Sequence, residues 1–102
     1  MNAILKGGRI IDPYMEWDFL GDVIIHNAHI CEVGQVNVNE SDYEVIDISG
    51  MILSPGFVDL HCHGGKGFDT MAGLSSIKKM SEYHLACGTT SLLPTTLTAT
   101  LD

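Results

Sequence analysis

Apolar positions in the first half of the chain fall in short runs cut by turn residues. Residues 3–6 read as an extended start closed by Gly7-Gly8, followed by Arg9-Ile10-Ile11, which stops at Asp12-Pro13. Proline there removes a ladder donor and restrains the residue before it. Val23-Ile24-Ile25-His26, Asn27-Ala28 and His29-Ile30-Cys31-Glu32-Val33 predict a hairpin. Asn27 tolerates the positive φ of a two-residue turn, although glycine would be the stronger second residue. Residues 43–48 alternate polar and apolar up to Ser49-Gly50, and Met51-Ile52-Leu53 is one more short strand before Ser54-Pro55-Gly56. Strands of this length and spacing predict a small sandwich or barrel-like sheet.

After Pro55 the pattern changes. Phe57-Val58-Asp59-Leu60-His61-Cys62-His63 is a strand run, followed by the glycine-rich Gly64-Gly65-Lys66-Gly67. Residues 75–87 predict a helix with Ile77, Met80, His84 and Cys87 on one face, and Gly88 supplies a left-handed stop. Thr89-Thr90-Ser91-Leu92-Leu93 reads as a second strand ending at Pro94. Strand, helix, strand is one βαβ unit with parallel pairing. Residues 97–102 resemble the approach to another helix, with Thr98 or Thr100 as N-cap. The alternative is a complete small α+β domain whose last strand returns to the first sheet.

Length and charge narrow the choice. The 102 residues exclude a complete (β/α)₈ barrel, which needs about 250. With 45% apolar residues the composition is that of a folded chain. The net charge is −8, of which −7 falls in residues 1–50. No basic cluster is present to track phosphates, and an anionic membrane surface would repel the chain, so neither nucleic acid nor membrane is an expected partner. Cys31, Cys62 and Cys87 form no C-x-x-C pair, and no apolar run approaches membrane-spanning length. With no leader-like N-terminus, a reducing cytoplasm is the expected compartment.

His61-Cys62-His63 is the sharpest chemical signal. Alternate side chains on a strand point the same way, so His61 and His63 share a face and can converge on one divalent ion, while Cys62 points away. Asp59 lies on the histidine face and could orient an imidazole. Gly64-Gly65-Lys66-Gly67 is not a phosphate-binding P-loop, because Gly67 stands where Ser or Thr is required. His26 and His29 flank a turn and are expected to be exposed. His84 is expected as a packing residue, Cys62 as a buried small hydrophobe, and Thr89, Thr90, Thr95 and Thr96 as strand formers.

The run from Pro55 to His63 resembles the P-G-F-[IV]-D-x-H-x-H signature of the amidohydrolase superfamily, and residues 4–12 and 50–54 resemble its N-terminal sheet strands. Residues 63–71 and 88–98 are similar to N-acetylglucosamine-6-phosphate deacetylases. Dihydroorotases and hydantoinases usually carry an arginine just after the second histidine to hold a substrate carboxylate, where this chain has Gly64-Gly65-Lys66.

The resemblance implies an α/β fold: the N-terminal part of a (β/α)₈ metal-dependent hydrolase barrel, preceded by strands of a small β-sandwich. Residues 1–54 would supply the sandwich strands and residues 55–102 the first βαβ unit. It implies His61 and His63 as ligands of one or two divalent ions (zinc, iron, manganese or cobalt). The implied reaction converts N-acetylglucosamine 6-phosphate to glucosamine 6-phosphate and acetate, in a full-length enzyme expected to be a homodimer. The general base and phosphate-holding groups would lie on later strands, so the 102-residue chain alone is expected to be inert. A different amidohydrolase, dihydroorotase-like or aminoacylase-like, and a non-catalytic β-rich binding module are the rival expectations.

Overall fold

A computed structural model describes residues 2–100. The chain divides into two compact units, residues 1–55 and 56–102.

The first unit is one mixed five-stranded sheet. Its strands are β1 (Ala3–Asp12), β2 (Trp17–His26), β3 (His29–Gly34), β4 (Glu44–Asp47) and β5 (Ile52–Leu53). They run in the order β3-β2-β1-β4, with β5 also beside β1. β1 pairs antiparallel with β2 and parallel with both β4 and β5. Within this unit the described residues form this one sheet, where a small sandwich or barrel-like sheet was expected.

Two expected strands fuse into β1 because Gly7-Gly8 forms a bulge rather than a stop. The register shifts between Leu5 and Gly8, Gly7 takes φ +77°, and its N–H donates to Asp22 Oδ1 at 2.8 Å. β2 also begins earlier than the apolar run suggested, at Trp17, whose ring meets Phe19 edge-on. The hairpin turn is as expected: Asn27 and Ala28 both take left-handed φ, at 50° and 63°. Ala3, Ile4, Ile10, Val23 and Ile24 are buried. Beside them an apolar hollow of about 320 Å³ is lined chiefly by Leu5, Ile10, Trp17, Val23, Ile25 and Ile30.

The second unit is the expected βαβ, with β6 (Phe57–Cys62), α1 (Leu74–Ala86) and β9 (Thr89–Pro94). β6 and β9 are parallel. The glycine-rich loop is itself a small hairpin, in which β7 (Gly64–Gly65) pairs antiparallel with β8 (Phe68–Asp69). Lys66 and Gly67 turn it with φ 50° and 83°. A 3-10 turn, Thr70–Ala72, leads into α1. The buried stripe of α1 is Ser76 and Met80, with Ile77 and His84 half-buried; Cys87 is exposed. Gly88 does supply the left-handed stop, at φ +98°. Residues 95–100 are not helical, and the rest of the expected helix start lies outside the described residues. No closed barrel forms among the described residues.

Candidate metal centre

His61 is the fifth residue of β6 and His63 follows its last. Strand alternation brings their rings together: Nε2 of His61 lies 2.9 Å from Nε2 of His63, with ring centroids 4.7 Å apart. The tautomers follow from the partners. Thr95 O can only accept, so His63 donates Nδ1–H to it at 2.9 Å, leaving its Nε2 lone pair facing His61. His61 then carries the proton between the two Nε2 atoms. Two imidazole nitrogens facing each other at this distance are a donor set suited to a borderline divalent cation, which would take that proton's place. Among the described residues, no group of three or more His, Cys, Asp and Glu side chains is arranged to hold a metal. The set here is a pair.

The backbone at the end of β6 is held from three directions. Cys62 O accepts the N–H of Thr95 at 2.7 Å. His63 O accepts from Thr70 twice, from its N–H and its hydroxyl, both at 2.8 Å. Gly64 O accepts His84 Nε2–H at 3.1 Å and the Cys62 thiol at 3.3 Å. The segments after β9, after β8 and along α1 thus each fix one of three successive carbonyls. Ser76 adds to this by accepting the Asp69 N–H at 3.0 Å, while Asp69 Oδ1 caps the 3-10 turn through Met71 N–H at 2.7 Å.

The expected residues fare unevenly. His61 and His63 are brought together. Asp59 is placed beside the pair through the main chain: its Oδ1 accepts the backbone N–H of His61 at 3.1 Å. Cys62 is buried beneath the histidine face, 3.3 Å from His84 Nε2, and His84 is a hydrogen-bonded packing residue as expected. His26 and His29 are exposed. Sequence reasoning missed Thr70 and Ser76, and passed over Thr95 as a strand former. Thr95 acts through its carbonyl, for which no side-chain signal exists.

Gly64 and Gly65 leave no space for side chains. A Cβ on Gly64 would stand 2.4 Å from Phe68 O, and one on Gly65 would stand 2.6 Å from His84 Nε2. The first obstacle is backbone of the paired strand, and the second is a ring tied to Gly64 O.

No protein-family model matches the chain. It is 40% identical over 63 residues to a dihydroorotase of Geobacter metallireducens, covering 62% of this chain and 15% of that one. Dihydroorotases of Citrifermentans bemidjiense and Lactococcus lactis subsp. lactis match over 63 residues at 41% and 33%, with the same coverage. The chain thus spans about 15% of the length of these curated relatives. Among solved structures, a prolidase complexed with N-methylphosphonate-L-proline superposes with a TM-score of 0.68 at 22% identity. That match covers 90% of this chain and 25% of the prolidase, a likeness of fold alone. The curated relatives are dihydroorotases, the solved structure shares the fold, and none of these matches singles out the N-acetylglucosamine-6-phosphate deacetylases. No helix among the described residues is long and apolar enough to cross a membrane.

Proposed function

We propose that this chain provides the first metal-holding strand of a hydrolase that cleaves an amide C–N bond, with His61 and His63 as ligands of a divalent cation. The observation that carries the reading is the convergence of the two Nε2 atoms, with His63 Nδ1–H anchored on Thr95 O. A bound divalent cation supplies Lewis acidity, polarising an amide carbonyl and lowering the pKa of bound water toward ~7. The chain's own contribution is positional. It holds two imidazoles at the end of a parallel strand, fixes the tautomer of one, and keeps Cys62 turned into the interior.

Within that class the reading is deacetylation of an N-acetylated amino-sugar phosphate. It is supported by the segments of residues 63–71 and 88–98 and by the side-chain-free Gly64 and Gly65. A carboxylate-holding arginine at either glycine would collide with Phe68 O or His84. The second reading, opening of a cyclic amide, is favoured by the names of the curated relatives.

Acetate release from N-acetylglucosamine 6-phosphate and ring opening of dihydroorotate, measured side by side on a longer polypeptide containing this chain, separate the two. Zinc-dependent acetate release supports the first; ring opening alone overturns it. The 102-residue chain by itself is expected to release no acetate, since two imidazoles do not complete a hydrolytic site.

A further inference from the structure

Thr70 stands apart from the other hydroxyl residues of the second unit. It is 4% exposed, and its hydroxyl lies 2.8 Å from His63 O, 3.4 Å from Cys62 O and 3.6 Å from Met80 Sδ. A single O–H proton goes to the closest and best acceptor, the His63 carbonyl, which already takes the Thr70 N–H at 2.8 Å. β6 ends at Cys62, so no neighbouring strand holds the carbonyl of His63. Thr70 supplies that missing support with two donors. The site is buried, and water does not substitute cheaply for a lost donor there. Valine matches threonine in shape, so packing alone does not call for the hydroxyl.

We propose that Thr70 is a positioning residue: its hydroxyl and N–H grip the His63 carbonyl and so keep the His63 ring bonded to Thr95 and aimed at His61. This rests on the reading of His61 and His63 as a ligand pair. The peptide plane after His63 sets the direction of its Cα–Cβ bond, and with it whether Nδ1–H reaches Thr95 O. If the plane rocks, the Thr95 bond loosens and the ring samples both tautomers. A ligand whose outer partner is removed typically loses about 10–100-fold in metal affinity. Thr70 acts one bond further out, so the expected loss lies near the lower end of that range.

The test uses the whole 102-residue chain, labelled with ¹⁵N, as wild type, Thr70→Val and Thr70→Ser. Ring ¹⁵N shifts of His63 are read with chelator present, and zinc affinity is read by calorimetry. In the wild type, His63 is expected to show a protonated Nδ1 and an unprotonated Nε2. Thr70→Val is expected to average the two shifts and weaken zinc binding about tenfold, and Thr70→Ser to restore both. A folded Thr70→Val with the wild-type ring pattern overturns the proposal, as does a Thr70→Ser that behaves like Thr70→Val. Should Thr70→Val fail to fold, Thr70→Ser decides: an unshifted His63 ring supports the proposal and a shifted one overturns it. A wild type that binds no zinc overturns the ligand-pair reading, while the ring shifts still decide the role of Thr70.

Discussion

The two units bury different kinds of atoms. In the first, the buried side chains among the described residues are Ala3, Ile4, Ile10, Val23 and Ile24, all aliphatic, along β1 and β2. In the second they are Cys62, Thr70, Ser76 and Met80, two sulfurs and two hydroxyls. Aliphatic burial is non-directional and tolerates small shifts, so it suits a sheet whose task is to hold together. Hydroxyls and thiols are directional: here the Thr70 hydroxyl bonds His63 O, the Cys62 thiol bonds Gly64 O, and the Ser76 hydroxyl accepts the Asp69 N–H. Precision is needed at the histidine pair, which sits on the polar-bonded unit with its backbone held by hydrogen bonds rather than by packing alone.

The most forceful way to break this contrast is to remove the one large side chain sealed inside the second unit. Met80 is fully buried, and Met80→Ala is expected to cost about 2–5 kcal/mol, enough to unfold so small a unit. Native-state hydrogen exchange should then show β6 and β9 amides unprotected while β1 and β2 keep their protection. Equal loss in both units would mean that they fold as one. Next in size, His63→Ala is expected to lower zinc affinity on the order of hundredfold. Its β1 and β2 amides should exchange as in the wild type. Calorimetric titration checks the first and exchange the second; retained affinity would remove His63 from the ligand set.

The same contrast decides what could be read from the chain. Aliphatic alternation and turn chemistry located the β2–β3 hairpin, β4 and β5, because both signals are local. They failed at Gly7-Gly8, where a bulge stabilised by distant Asp22 carries β1 onward, and at Trp17-Asp18-Phe19-Leu20, whose aromatic and acidic mixture hides a strand. In the second unit, period-2 geometry placed His61 and His63 on one face, and the glycines and helix stripe placed the βαβ. The supports of the pair were not legible. Thr95 contributes a carbonyl, Thr70 reaches back seven residues, and Asp59 bonds a main-chain N–H that no residue pattern reports.

A smaller effect sharpens the account of the first unit. Asn27 and Ala28 hold both left-handed positions of the β2–β3 turn, and alanine has no side-chain bond to offset the strain of φ 63°. Ala28→Gly is expected to stabilise that hairpin by about 0.5–1 kcal/mol, since relief of strain exceeds the entropy glycine adds to the unfolded chain. Denaturant unfolding followed at Trp17 should shift to higher concentration, with no change at the His61 and His63 rings. A lower midpoint would mean the turn is not under strain.

The smallest expected effect concerns the charge on the first unit. Arg9 forks onto Asp18 with two bonds of 2.7 Å, and this pairing holds the Asp18 carboxyl below its ordinary range. Hydrogen bonds from Ser49 hold Asp47 low in the same sense, and Lys6, bonded to Glu40, is held above the usual lysine value. A depressed carboxylate contributes stability that is present above its unfolded value, near 3.9, and is lost as pH falls through the folded value. A raised lysine contributes below its unfolded value of 10.5 and loses that contribution as pH rises through its folded one. The first unit is therefore expected to weaken slightly below about pH 4, through Asp18 and Asp47, and again above about pH 10, through Lys6. Every partner is exposed, so salt should flatten both limbs. Arg9→Met is expected to reduce the acid limb and leave the alkaline one, as read from exchange of β1 amides in low salt. An acid limb of unchanged height in Arg9→Met would shift its origin from Asp18 to Asp47.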